Sequence, residues 1–447
     1  MNPLLIAIIA APAVLFLLLG ALWLAGFTLP ERIVARLTTS VYALLTVAVS
    51  ILGWRLARTP GHSIHASLGD WFTVGDYGFP IELLADTVSF PLIAATVILV
   101  GLVGSFSVRY LHRDPGFLRF FLLLNLFAFG ALLVFASASM DLLVAGWEFV
   151  GITSVLLISF FQYRPEPVRN ALRVFATYRL ADLFILLAVF LAHHWAGSAA
   201  WTDLFGTGAV SGAKTEVLAI LLVFAASGKS AQGPFSGWLP RAMEGPTPSS
   251  AVFYGAISVH AGAYLLLRAE PLVQGSHVAR GLLFAIGGGT ALVSTMVHRT
   301  CADAKTSLAY ASQTQLGIIF CEIAAGWSTL ALLHICSHAM VRSMQFLRAP
   351  SMLYDHHRIH SASGGTLQPT GEHLESLLPK FIQIYLYRVA LGRGFYDAIV
   401  DRWILAPARS LAGSLRIFEP DWIRIAPQNI ESKSPAEPTH TAESSHA

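Results

Sequence analysis

The sequence predicts an all-α polytopic membrane protein with about eleven transmembrane helices. Three observations carry this expectation. Of 447 residues, 55% are hydrophobic and 12% are charged, about half the charged share of a soluble domain. The apolar runs reach the ~20 residues that cross a bilayer as a helix, and they lack the short alternation of barrel strands. One run ends on a lysine and then breaks: "GKSAQGPFSGWLPRAMEGPTPSS", residues 228–250, with prolines at 234, 240, 246 and 248. Irregular backbone at membrane depth is tolerated only where it packs in protein or lines a polar cavity.

Taken in order, the predicted spans are 3–27, 36–54, 83–107, 117–136, 141–161, 172–193, 215–233, 249–268, 279–298, 305–324 and 327–347. The first, "MNPLLIAIIAAPAVLFLLLGALWLAGF", lacks a basic leader region and is too long for a signal-peptide core, so it reads as a retained span. Residues 55–80 are polar and contain glycine ("GHSIHASLGDWFTVGDYG"), which predicts a small extramembrane hairpin. Beyond residue 350, "LPKFIQIYLYRVALGRGFYDAIVDRWILAPARSLAGSLRIFE" interleaves aromatic and aliphatic residues with arginines, as in one or two amphipathic surface helices. "NIESKSPAEPTHTAESSHA" is poor in apolar residues and reads as disordered. The expected organisation is N-terminal spans and outer hairpin (1–80), translocating core (81–350), amphipathic region (351–427) and tail (428–447).

Orientation follows from the basic residues of the short loops. One set holds Arg32, Arg36, Arg109, Arg113, Arg119, Arg164, Arg169, Arg173, Arg241 and Arg299; the other holds Arg55, Arg58, Lys214 and Arg280. The richer set is expected in the cytoplasm, which puts the N-terminus outside and the C-terminus inside. Net charge is +3 and forms no basic stripe for nucleic acid. Cys301, Cys321 and Cys336 form no CxxC pattern and imply no disulfide framework or cluster.

An ionisable residue within a span costs a few kcal/mol and marks a candidate functional site. Glu148 ("LLVAGWEFVGITSVLLISF"), Lys229 ("LLVFAASGKSAQ"), His260 ("AISVHAGAYLLL"), and His334, His338 and Arg342 ("ALLHICSHAMVRSMQFL") meet that description. Asp182 and Lys305 lie nearer predicted span ends, where structural roles are the simpler expectation. His334, His338 and Arg342 recur every fourth residue and therefore share a helix face. Imidazole exchanges protons near neutral pH, and a buried lysine beside a glutamate has an adjustable proton affinity. A Glu148–Lys229 pair of changing separation would load and release a proton. The plainer alternatives are a static Glu148–Lys229 pair, a His260 that only bridges helices, and a metal at the His-x3-His spacing, for which no third ligand is evident. No cofactor or metal site is expected.

At these residues a resemblance enters. "AASGKSAQGPFSGWLPRAMEGPTPSSA", "GWEFVGITSVLLISF", "ADAKTSLAYASQTQLGIIF" and "HICSHAMVRSMQFL" resemble the antiporter-like subunits of respiratory complex I and of multisubunit cation/proton antiporters, over roughly residues 80–350. The resemblance implies an antiporter-like fold and places Glu148 and Lys229 on the family's glutamate–lysine pair. Lys305, His334 and His338 fall on its continuing polar axis. Within the superfamily, "FYGAISVHAGAYLLLR" carries Tyr254 where respiratory subunits usually have histidine. With "YRPEPVRNALRVFATYRLAD" and "RSMQFLRAPSMLYDHH", it resembles the DabB membrane subunits of two-component inorganic-carbon pumps. That implies a DabA-like partner of zinc carbonic-anhydrase type, H⁺ or Na⁺ flow coupled to CO2 or bicarbonate uptake, and a bacterial inner membrane. Catalysis would lie in the partner. It also implies a second inverted repeat shortened after residue 270. The competing expectations are a proton-translocating subunit of an NADH–quinone oxidoreductase or cation/proton antiporter, and a non-conducting anchor.

Overall fold

A computed structural model describes residues 2–74, 77–206, 208, 210–362, 378–396, 400, 402 and 406–415. Two long helices open the chain, α1 (Pro3–Leu24) and α2 (Glu31–Arg58). Between them and the remaining helices stands an antiparallel hairpin, β1 (Ser63–Val74) and β2 (Tyr77–Asp86), in register from Ser63 opposite Asp86 to Val74 opposite Tyr77. The predicted hairpin therefore exists, but it begins later and runs further. Its second strand takes residues 83–86, which the hydropathy pattern assigns to the third span. The apolar "LLA" there is strand because it is pinned by its partner strand.

Four helices follow: α3 (Ser89–Tyr110), α4 (Phe117–Ala136), α5 (Met140–Ile158) and α6 (Pro165–Ala196). The start of α5 is capped by Ser139, whose side chain accepts from Leu142 N. Pro165 sits in the first turn of α6, where a missing N–H costs nothing, and Gly197 ends it with φ 73. Nearly every residue of α4 from Phe120 onward is buried, which makes it a central element. By contrast α1 and α2 keep Leu17, Leu24, Leu44 and Trp54 exposed, as helices facing lipid do. At the α4–α5 crossing the backbones nearly touch. A Cβ on Gly146 would stand 2.6 Å from Gly130 O, so only glycine permits that approach.

Next come a short α7 (Trp201–Gly206) and α8 (Ala213–Lys229). The chain then breaks, as the lysine–proline stretch predicts, but it breaks twice. After Lys229 it forms only brief turns, α9 (Trp238–Arg241) with a 3₁₀ turn at Ala242–Glu244, and α10 (Thr247–Ser249) with a π-helical turn at Ser250–Tyr254. Regular helix resumes at α11 (His260–Arg268). The predicted span 249–268 is thus discontinuous as well, and all of it is buried. Such π-turns are frequent at functional sites. The unit closes with α12 (Glu270–Gln274), α13 (His277–His298), α14 (Ala304–Ala324) and α15 (Ser328–Ala362). The last outruns its predicted end at 347.

Among the described residues, eight helices are long and apolar enough to cross a membrane by length and composition, the broken Thr247–Arg268 among them. The 17-residue α8 and the polar-bearing α14 and α15, which cover three further predicted spans, do not reach that standard. The amphipathic region resolves into α16 (Lys380–Leu391), which packs on α13, and α17 (Ala406–Leu415). The expectation there is one or two amphipathic helices. Residues up to Gly394 form one compact unit and those from Phe395 a second. The predicted disordered tail, 428–447, lies outside the described residues.

Candidate functional site: a buried polar series

Lys229 is the last residue of α8 and is 1% exposed. Its ammonium donates to the backbone carbonyl of Trp147 at 2.9 Å and lies 4.7 Å from the Trp147 ring and 4.8 Å from the Tyr178 ring. Two aromatic faces around a desolvated ammonium are favourable cation–π contacts. Gly151, one turn beyond Trp147, leaves the space: a Cβ there would be 3.3 Å from Lys229 Nζ.

The expected direct Glu148–Lys229 pair is replaced by a longer arrangement. Glu148 pairs with Arg179 at 2.5 Å, and Arg179 also binds Asp182 at 2.7 Å. The other Asp182 oxygen accepts from the Trp147 indole at 2.7 Å. Asp182 is 3% exposed, so its expected position near a span end is corrected: α6 is 32 residues long and brings it to mid-helix. The reason for the replacement is local. Trp147 and Glu148 are adjacent on α5 and point differently, so the residue facing Lys229 is the tryptophan. Arg179 and Asp182, spaced i,i+3 on α6, share the face that meets Glu148.

Beyond Lys229 the break exposes backbone carbonyls, and side chains meet them. Trp238 Nε1 donates to Gly228 O at 2.8 Å, and Gln313 of α14 donates to Ser236 O at 2.5 Å. Ser230 Oγ donates to Val259 O at 2.7 Å, which joins the end of α8 to the residue before His260. The Tyr178 hydroxyl faces Ser154 and Ser258. Tyr254, within the π-turn, donates to Ser154 O at 3.2 Å.

His260 is fully buried at the start of α11. One ring nitrogen bonds Ala256 O, and Nε2 meets His338 Nδ1 of α15 at 2.9 Å. The second break makes this possible, since it aims the first residue of α11 across the bundle. Arg342 Nε donates to His338 Nε2 at 3.4 Å. His334 is bonded to Glu322 at 2.9 Å and to Gln315 at 3.1 Å, both on α14. Its ring centroid lies 6.3 Å from that of His338. The four-residue spacing thus yields one lined face, as predicted, and the two histidines turn to separate protein partners.

Lys305 stands apart from these contacts. Its ammonium donates to Met243 O at 2.6 Å and Gly245 O at 2.8 Å, holding the short turns after the first break. Neighbouring Glu244 accepts from Asn170 of α6 at 3.2 Å. A second buried ion pair lies elsewhere: Arg268, at the end of α11, binds both oxygens of Asp86 at 2.6 and 3.0 Å. Burial alone would raise the Asp86 carboxyl, but the Arg268 guanidinium and the backbone N–H of Ser89 hold it below its ordinary 3.8.

Sequence reasoning missed Trp147, Tyr178, Arg179, Gln313, Gln315 and Glu322. Arg179–Asp182 had a signal in its i,i+3 spacing on a helix. Trp147 and Tyr178 had none, because an aromatic in an apolar run is ordinarily core.

The family model of the NADH:quinone oxidoreductase/Mrp antiporter transmembrane segment matches residues 137–364, and that of the N-terminus of complex I NADH-ubiquinone oxidoreductase chain 5 matches residues 71–121. The chain belongs to the NADH:quinone oxidoreductase/Mrp antiporter transmembrane family. This polytopic membrane protein is 29% identical over 321 residues to NADH-ubiquinone oxidoreductase chain 5 of Neurospora crassa, covering 72% of this chain and 45% of that one. To NADH-quinone oxidoreductase subunit L of Rickettsia felis it is 29% identical over 379 residues, covering 82% and 58%. It therefore spans about half the length of the curated relatives it matches. The solved Mrp complex from Dietzia sp. DQ12-45-1b superimposes with a TM-score of 0.67 at 26% identity, over 77% of this chain and 36% of that chain. The membrane-bound sulfane sulfur reductase, an archaeal respiratory membrane complex, shares the fold with a TM-score of 0.68 at 20% identity, over 77% and 70%.

Proposed function

We propose that this chain is a proton-translocating membrane subunit of a multisubunit complex. The family and its relatives favour this over the carbon-pump expectation. The observation that carries it is the polar series from half-buried Glu148 and Arg179 to buried Asp182, Trp147 and Lys229 on one side of a doubly broken span, and His260–His338 on the other. Buried charge and imidazole in a span are costly, and a fold does not accumulate both without use. Lys229 would exchange a proton with the Asp182–Glu148 cluster. The histidines would pass it on, with His334–Glu322 as the far end and Arg342 tuning His338. Lys305 would keep the break in shape. The residues make no covalent chemistry; catalysis would belong to partner subunits. Glu148 and Arg179 retain side-chain exposures of 27% and 38% near mid-helix, a costly pair to show to lipid, which supports a neighbouring subunit at the level of that pair, before the apolar row of α6 that begins at Leu183. The residue-defined core is 81–350, in a bacterial inner membrane, with the N-terminus outside and the C-terminus cytoplasmic.

The test is proton movement in sealed membrane vesicles holding the intact complex, read with a pH-sensitive dye. Lys229→Ala that assembles normally yet pumps at the wild-type rate would sink the proposal. Lys229→Arg should fail as well, since arginine scarcely deprotonates.

A second reading keeps the inorganic-carbon pump with a DabA-like zinc carbonic-anhydrase-type partner. It is favoured by Tyr254, which ends a hydrogen bond on Ser154 O at the position where the resemblance expects a titratable histidine in respiratory subunits. Affinity purification of the intact complex separates the two readings by the partner recovered.

A further inference from the structure

Between the hairpin and the α5–α6 seam lies a cavity of about 220 Å³. Its walls include Trp71, Phe72 and Phe79 of the hairpin, Ala145 of α5, and Leu186 and Val189 of α6. The single charged group in the lining is Asp141, at the start of α5. Asp141 accepts from His193 Nε2 at 2.9 and 3.1 Å, and the Phe79 ring packs on that imidazole at 5.4 Å. None of these residues belongs to the proton series.

Three features limit the occupant. The volume is below the roughly 300–1,000 Å³ of ordinary small-molecule pockets, so the space suits one narrow chain. The cavity continues the apolar outer face of α6. Leu186 is 48% exposed, and Leu183 and Phe190 beside it are 59% and 64% exposed, a row that in a membrane protein meets acyl chains. The third feature is charge. Among the described hairpin residues Asp70 and Glu82 add negative charge beyond the Asp86–Arg268 pair, residues 63–86 carry no lysine or arginine, and Asp141 lines the cavity. Such surroundings repel an anionic headgroup and attract an ammonium.

We propose that this cavity is a binding site for one acyl chain of an ammonium-headed phospholipid, of the phosphatidylethanolamine class. The chain enters from the α6 side and passes beneath the hairpin aromatics. The ammonium lies toward Asp141 and the acidic hairpin. An aromatic roof over an alkyl chain is an apolar contact with no hydrogen-bond demand, which an otherwise exposed Trp71 and Phe72 would gain from.

The experiment uses the full chain in nanodiscs containing phosphatidylethanolamine with a diazirine on its acyl chain. After irradiation, adducts are mapped by peptide mass spectrometry. Adducts should concentrate on Phe72, Phe79, Ala145 and Val189. Ala145→Trp and, separately, Val189→Trp should each fill the cavity and cut them severalfold, while adducts on Phe284 and Leu292 of α13 stay constant as the internal control for folding and for bulk lipid. Pocket labelling no higher than on α13, or labelling unmoved by both fillings, overturns the site. Excess unlabelled phosphatidylethanolamine should compete better than phosphatidylglycerol, and Asp141→Asn should narrow the difference. Equal competition by the two lipids in the wild-type chain overturns the headgroup assignment.

Discussion

The two halves of the buried series are built on opposite principles. Around Lys229, charge is dense: two carboxylates, a guanidinium and an ammonium lie among Trp147 and Tyr178. Around His260 charge is sparser: two imidazoles share a hydrogen bond of 2.9 Å, the Arg342 guanidinium donates to His338, and the Glu322 carboxylate appears only beyond, on His334. The first half holds its charges by mutual compensation, since an isolated buried ion is not tolerated. The second holds two imidazoles in line by a direct hydrogen bond, which a proton can follow. A store followed by a conduit is what the difference teaches. Each half is also placed by a break, one at the end of α8 and one before α11.

The comparison breaks most sharply at Lys229. Lys229→Ala removes the one titratable cation of the first half and should lower proton translocation on the order of a hundredfold, the scale of a lost acid–base group. A dye-quench assay on vesicles with matched protein content measures it; a loss of less than half would mean that the store lies elsewhere.

Next is the conduit. His338→Gln retains hydrogen bonding but cannot become a cation and pass a proton onward. Translocation should fall about tenfold, and assembly should be unchanged on native gels. Should His334→Gln cost as much and His338→Gln nothing, the route would run along α14 instead of through His260.

A smaller effect is expected at Gly151. Gly151→Ala places a Cβ in the space beside Lys229 Nζ, 3.3 Å away, and pushes the ammonium off the Trp147 carbonyl. Losing one hydrogen bond to a charged group is worth about 2 kcal/mol, so the rate should fall severalfold with a shifted pH profile. A change in rate with an unmoved profile would show packing damage alone.

The smallest effect on translocation belongs to Asp86, which lies in neither half. Asp86→Asn should leave transport unchanged while reducing thermal stability by about 2 kcal/mol, because Arg268 loses its charged partner. The sign of the pH dependence follows from the lowered Asp86 carboxyl. The unfolded chain takes up the proton first, so the stabilisation is intact above the ordinary value of 3.8 and fades as pH falls through the lower folded value. Melting curves of wild type and variant should therefore converge in acid; parallel curves down to the lowest pH would show that the ion pair adds nothing.

Much of this was legible in the chain itself. Runs of ~20 apolar residues decide that the protein lies in a bilayer, because no other solvent accepts them. Lys229 followed by four prolines decides that a helix breaks there, since proline lacks the N–H and clashes with the preceding turn. The recurrence of His334, His338 and Arg342 decides that they share a face, for helix periodicity is a local property. Partnership was different. That Glu148 would bind Arg179, that Asp182 would lie at mid-helix beneath Trp147, and that His260 would reach His338 across 78 residues depended on how separate helices cross. Hydropathy also assigned residues 83–86 to a span, whereas the hairpin claimed them through cross-strand pairing. Periodicity and composition report what each segment does alone. Which buried charge meets which is set by the crossing of α5, α6, α8, α11 and α15, where each ion must find compensation among whatever side chains the packing brings within about 3 Å.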